Sequence, residues 1–204
     1  FAIGLRPDGT AVSWGEKGTC DVPSNETFVQ VAATDWATFG LRGDGTTVAW
    51  GLESENEVGQ LDVPPGEKFV RLFAGTGGCL GLRADGTAVA WNEDCELVPP
   101  GETFVELAVG GLHCIGLRPD GTAIAWGYNN NGQCDVPTSE KFFRIAAGEC
   151  YSIGLRPDGT AVMWGDNCVG QCDAPEGMQF AQVATCGEGT VLGLLKEERR
   201  SYSP

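Results

Sequence analysis

Residues Gly116 to Pro137 read GLRPDGTAIAWGYNNNGQCDVP, and their first half recurs four more times. The other copies are GLRPDGTAVSWG from Gly4, GLRGDGTTVAWG from Gly40, GLRADGTAVAWN from Gly81 and GLRPDGTAVMWG from Gly154. Their starts lie 36, 41, 35 and 38 residues apart. A period in this range marks a solenoid, a propeller or another array. Each copy reads as a hairpin: Asp-Gly between apolar runs supplies the positive φ that a tight turn needs. Val12 and Trp14 share one face of the second strand, while Ala11 and Ser13 take the other. Small residues opposite large ones suit closely stacked sheets.

Two further phrases complete the unit. FVQVA from Phe28 is echoed by FVRLFA from Phe69, FVELAV from Phe104, FFRIAA from Phe142 and FAQVAT from Phe180. The polar residue between apolar ones reads as an alternating strand. CDVP from Cys20, LDVP from Leu61, CDVP from Cys134 and CDAP from Cys172 close the unit, with Leu97-Val98-Pro99 in the third copy. This phrase predicts a short fourth strand ended by Pro, which cannot donate to a ladder. No stretch has a convincing helical period. The expected fold is therefore all-β, a β-propeller of about five small antiparallel blades. The units span about 1–23, 24–64, 65–99, 100–137 and 138–175, with a partial unit at 176–196 and a tail at 197–204.

The strings GLRPDGTAIAWGYNNNGQCDVP and FFRIAAG (142–148) resemble the regulator of chromosome condensation repeat family. The resemblance extends over residues 1 to about 196 and implies a ring, typically of seven blades. It implies little about activity. Members include an exchange factor for a small GTPase, segments of HECT-type ubiquitin ligases and a secreted β-lactamase inhibitor, and fold does not imply function. The chain begins inside a unit at Phe1 and ends inside one near Val191–Leu195. Two readings follow. The strand at Phe180–Ala184 joins the N-terminal hairpin and closes a five-blade ring, or the chain is a truncated piece of the seven-bladed type.

The formal net charge of −15 argues against a nucleic-acid surface and against docking on anionic lipid. It suits a protein partner with a basic surface, or simply solubility in a salty medium. No apolar run is long enough to span a membrane, and the sequence names no compartment. The nine cysteines follow the repeat phase: Cys79 and Cys114 occupy slots filled elsewhere by Thr38 and Ser152. Those slots ask for a small side chain rather than for a thiol. With His113 the only histidine, no zinc ligand set is expected. No cofactor motif stands out, and Glu53-x-Glu55-x-Glu57 lacks the glycine of a calcium loop. No catalytic constellation is expected either, so the chain reads as a non-enzyme.

Strand direction assigns two rims. The Asp-Gly turns and the Pro-Pro-Gly-Glu linkers form one, and they are uniform. The other holds the variable loops Thr34-Asp35-Trp36, Gly111-Leu112-His113, Glu149-Cys150-Tyr151, the acidic runs with Glu53, Glu55, Glu93 and Asp94, and Tyr128-Asn129-Asn130-Asn131. Aromatic residues concentrate at the energetic centres of interfaces. The expected site is a protein-binding rim with Trp36, Tyr128, Tyr151 and His113 as anchors and Asp35, Glu149, Glu53, Glu55, Glu93 and Asp94 as a negative field. The rival readings are an architectural subunit of a larger complex and a regulatory propeller, either an exchange factor or a ligase-associated substrate reader. The five phased Arg residues (Arg6, Arg42, Arg83, Arg118, Arg156) are expected to be structural, bonded to the Asp of the DVP segment or to a carbonyl.

Overall fold

The computed structural model of the 204-residue chain describes residues 2–15, 21–51, 59, 61–76, 78–91, 97–186 and 189–196. Their regular structure is entirely β. Four three-stranded antiparallel sheets are built from β3 (Gln30–Ala33), β4 (Ala37–Leu41) and β5 (Thr47–Gly51), from β6 (Arg71–Gly75), β7 (Gly78–Leu82) and β8 (Ala88–Ala90), from β9 (Glu106–Val109), β10 (His113–Leu117) and β11 (Ala123–Gly127), and from β12 (Arg144–Ala147), β13 (Tyr151–Leu155) and β14 (Ala161–Gly165). Two-stranded sheets flank them, β1 (Ala2–Leu5) with β2 (Ala11–Trp14) and β15 (Phe180–Cys186) with β16 (Thr190–Leu195). The first strands of successive sheets lie side by side, so the sheets radiate as propeller blades from a common centre.

The turn chemistry is the expected one. Gly9 takes φ 84° and Gly121 φ 86°, where a side chain would be strained. Asp120 accepts from both the backbone N–H and the hydroxyl of Thr122, and these bonds hold its carboxyl below the usual range. The amide of each unit's opening Phe then bonds the turn glycine of the unit before, as in Phe104 N–H to Gly86 O at 2.8 Å and Phe142 N–H to Gly121 O at 2.8 Å.

The core lies between sheets. Ala37, Phe39 and Leu41 of one sheet meet Phe69, Leu72, Cys79 and Trp91 of the next. The pattern repeats with Leu80 and Leu82 against Phe104, Leu107 and Trp126, and with Ile115 and Leu117 against Phe142, Ile145 and Trp164. Alternation thus places the Val/Trp face toward the preceding sheet and the small Ala face toward the following one. The Trp stacks on its unit's Phe, with ring centroids 5.5 to 5.8 Å apart. A glycine of the middle strand lies under that Phe: a Cβ on Gly116 would overlap the Phe104 ring. Thr38, Cys79, Cys114 and Ser152 are all buried in parallel slots, as their interchange in sequence requires.

Three expectations give way. The DVP segment is not a strand. Asn129 Nδ2 donates to Asp135 Oδ1 at 2.9 Å and Cys134 N–H donates to Asn129 Oδ1 at 2.7 Å, latching this segment as a turned loop. Asn167, Asp173 and Cys172 repeat the latch. The phased arginines are structural, but their partner is the Glu sixteen residues earlier: Arg42–Glu26, Arg83–Glu67, Arg118–Glu102 and Arg156–Glu140, at 2.6 to 2.7 Å. Finally, Phe180–Cys186 pairs with Thr190–Leu195 and not with the N-terminal hairpin. Four complete and two partial sheets therefore form an arc. Among the described residues the terminal sheets make no contact with each other comparable to those between neighbours.

Candidate protein-binding rim

Antiparallel pairing fixes which loops share an end of the blades. His113 is opposite Gly127 and Ala37 is opposite Gly51, so the loop before each middle strand borders the loop after each third strand. The bond from Tyr128 N–H to Leu112 O (2.8 Å) ties two such loops together. Trp36 and Tyr128 thus stand on the same rim, and both are exposed, at 51% and 43%. Tyr128 Oη accepts from Asn130 Nδ2 at 2.7 Å, which orients the ring at the surface. Asp35 is exposed beside Trp36, and Glu149 is half-buried. Glu53, Glu55, Glu93 and Asp94 lie outside the described residues.

His113 and Tyr151 are corrections. Both are fully buried, so neither side chain is presented to a partner. The reason is register. Ala37, Gly78, His113 and Tyr151 are the first residues of the middle strands and point into the space between sheets. Trp36 precedes that position by one, and a one-residue step on a strand reverses the face. The residues equivalent to Trp36 are Leu112 and Cys150, and Leu112 is exposed beside Tyr128. Sequence reasoning missed Leu112. Counting back from the phased glycines Gly40, Gly116 and Gly154 would have found it, because Trp36, Leu112 and Cys150 each lie four residues before.

The two buried side chains have structural work instead. Tyr151 Oη donates to Thr190 O at 3.0 Å, joining two successive sheets. Ser152 Oγ donates to Gln133 O at 2.8 Å, so it accepts from His113 Nε2, 2.9 Å away. This Ser–His pair is sealed from solvent, and the serine proton is committed to a carbonyl. It cannot serve as the activated nucleophile of a hydrolase, whose hydroxyl must hand its proton to the base. Burial pushes the His113 pKa down to about 4, so the ring is neutral at pH 7.

Near the centre of the arc, the polar residue of each first strand links neighbours. Gln30 bonds both backbone groups of Leu72, and Glu106 accepts from Ile145 N–H at 3.2 Å. Arg144 lies 3.8 Å from Glu106. Burial nevertheless raises the Glu106 pKa, because desolvation outweighs the arginine.

Residues 104–133 and 144–171 match the model of the Regulator of chromosome condensation (RCC1) repeat. No curated protein matches the chain by sequence. Among solved structures, the CRINKLY WD40 ectodomain of the Arabidopsis thaliana receptor kinase ACR4 superposes with TM-score 0.74 at 23% identity, covering 93% of this chain and 69% of that one. The ectodomain of the Physcomitrella patens receptor kinase CR4 gives 0.83 at 21% identity, covering 96% and 57%. Yeast RCC1 (Prp20), in its complex with Kap60, gives 0.70 at 20% identity, covering 91% and 64%. The chain thus spans less than two thirds of the length of the latter two, and the likeness to all three is one of fold.

Proposed function

We propose that this chain, a β-propeller carrying repeats of the regulator of chromosome condensation type, is a non-catalytic module that binds a partner protein through the rim bearing Trp36 and Tyr128. The observation that carries the reading is the exposure of these two aromatics at one end of the blades. The repeat does not require them there: equivalent positions hold Leu112 and Cys150 in one case and Asp166 in the other. Exposed aromatics with Leu112 alongside supply the apolar centre of an interface, and Asp35 and Glu149 supply a negative border. The runs with Glu53, Glu55, Glu93 and Asp94 extend that border in sequence, and a basic partner surface complements it. The fold neighbour from yeast is seen bound to another protein, Kap60, which agrees with a protein partner here.

The test is capture by a photo-crosslinker at position 36, followed by affinity measurement with the purified partner. The double change Trp36→Ala/Tyr128→Ala should weaken binding at least tenfold, or about 1.4 kcal/mol, with an unchanged melting temperature. Affinity should also fall as salt rises. Undiminished binding by the double variant would remove the rim from the interface.

A further inference from the structure

The linkers between consecutive sheets turn at one recurring position. Gly66, Gly101 and Gly177 hold it in three units, with φ of 81°, 79° and 73°. In the first linker the residue is Asn25, with φ 64°, and among the described residues no other side-chain-bearing residue has positive φ. Asn is one of the few residues that tolerate this left-handed conformation. A Cβ added to Gly66, Gly101 or Gly177 meets nothing within 4 Å. The position therefore aims a side chain away from the blades. Gly66 and Gly101 each lie between two complete sheets, so the open space belongs to the turn and not to the ends of the chain.

Asn25 also opens the triplet Asn25-Glu26-Thr27, which has the form Asn-x-Ser/Thr with x other than Pro. None of the other asparagines is followed by such a pair. The fold presents the triplet outward. Glu26 is drawn aside by Arg42, whose Nε and Nη2 each donate to it at 2.7 Å. Asn25 and Thr27 on either side are exposed, and among the described residues neither side chain makes a hydrogen bond. Three asparagines elsewhere are committed: Asn129 donates to Asp135, Asn167 to Asp173 and Asn130 to the Tyr128 hydroxyl. The Asn25 amide is free, exposed and two residues ahead of an exposed hydroxyl.

The geometry points to Asn25 as the acceptor of an asparagine-linked oligosaccharide. The donor is a lipid-linked oligosaccharide pyrophosphate. A bond forms between Asn25 Nδ2 and C1 of the first sugar, and the bond from that carbon to the pyrophosphate oxygen breaks. The lipid pyrophosphate leaves with the bonding pair, and one amide proton passes to a base of the transferase. The sugar stands at the Asp-Gly end of the blades, where Phe28 N–H bonds Gly9 O at 2.7 Å. Strand β3 then runs from that end to Thr34-Asp35-Trp36. The oligosaccharide and the exposed Trp36 thus occupy opposite ends, and the modification leaves the rim uncovered.

The experiment translates the 204-residue chain behind a cleavable secretory leader in the presence of microsomes. Protease-protected chain is then digested with peptide N-glycosidase and mapped by mass spectrometry. One oligosaccharide per chain is expected, with deamidation at position 25 after its release. Asn25→Gly and Thr27→Lys install the residues that the second unit holds at Gly66 and Lys68, so both keep the turn, and both should abolish the modification. Thr27→Ser should retain it. Gly101→Asn, placed before Glu102-Thr103, completes the same triplet at the equivalent turn and should add a second oligosaccharide. Protected chain without sugar, or sugar that persists in Asn25→Gly, would overturn the proposal. So would a Gly101→Asn chain that gains nothing, because the turn position would then not present an acceptor.

Discussion

The four middle sheets and the two terminal sheets carry the same phrases and meet opposite fates. Trp126 is 8% exposed, whereas Trp14 is 60% exposed. Leu117 is buried, whereas Leu192 and Leu194, on the corresponding face of β16, are more than 60% exposed. Burial here does not belong to the motif. It belongs to the motif having a neighbour on each side. Such an array gains stability mainly at the interfaces between units, so equal residues have unequal worth along the chain.

The largest expected contrast is at the tryptophans. Trp126→Ala should cost about 3–5 kcal/mol, since it empties a packed site between two sheets. Trp14→Ala should cost less than about 1 kcal/mol, because its ring is mostly in solvent. Denaturant unfolding followed alongside site-resolved amide exchange measures both. Equal losses would show that the terminal hairpin packs as tightly as the middle.

Glycine gives the next contrast. Gly116→Ala drives a methyl into the Phe104 ring and should cost about 1–3 kcal/mol. In Gly4→Ala the new carbon meets Trp14 at 3.6 Å, an ordinary contact, and the change should stay within about 0.5 kcal/mol. Thermal melts of the two variants side by side would sharpen the difference or erase it.

Acid should loosen the middle in two stages. His113 titrates near 4 in the folded chain and near 6.5 when unfolded, so between those values only the unfolded chain takes up its proton. Stability should fall by roughly 2–3 kcal/mol as pH drops across that window, and His113→Gln should flatten this stage. Glu106, whose pKa is raised, works in the opposite direction: its cost to the folded state eases as it is protonated. Below the ordinary carboxylate range a second loss follows. Glu26, Glu67, Glu102 and Glu140 are held low by their arginines, so their support is present above the unfolded pKa and disappears as pH falls through the folded one. Equilibrium unfolding at pH 7, 5 and 3 separates the stages. A flat profile between pH 7 and 5 would argue against a neutral, buried imidazole.

The smallest effects belong to the rim. Trp36→Ala and Tyr128→Ala should each change stability by less than about 0.5 kcal/mol. A larger loss at either would place that ring in a packing role.

Local chemistry was readable from residues alone. The Asp-Gly turns, the alternating faces and the interchange of Cys114 with Ser152 each follow from one strand and its phase. What escaped depends on something further away. The partner of Arg118 is Glu102, on the segment leading into the first strand, and no local rule points there. The segment at Cys134–Pro137 looks extended until Asn129 reaches Asp135. Phe180–Cys186 pairs locally with Thr190–Leu195, and only the competing long-range partner, the similar strand of the N-terminal hairpin, left that choice open in the sequence. His113 and Tyr151 were misplaced by a single residue of register, although the phased glycines held the signal. Two of the four anchor positions thus rested on a count that a stricter alignment of the copies would have corrected.

The bond from each opening Phe amide to the preceding turn glycine has a consequence for biogenesis. The acceptor carbonyl at Gly86 is synthesised well before the donor at Phe104, and the same order holds at every junction. In N-to-C synthesis both strands of each hairpin therefore precede the residue that seals its turn, and the sealing amide is the last of these groups to become available.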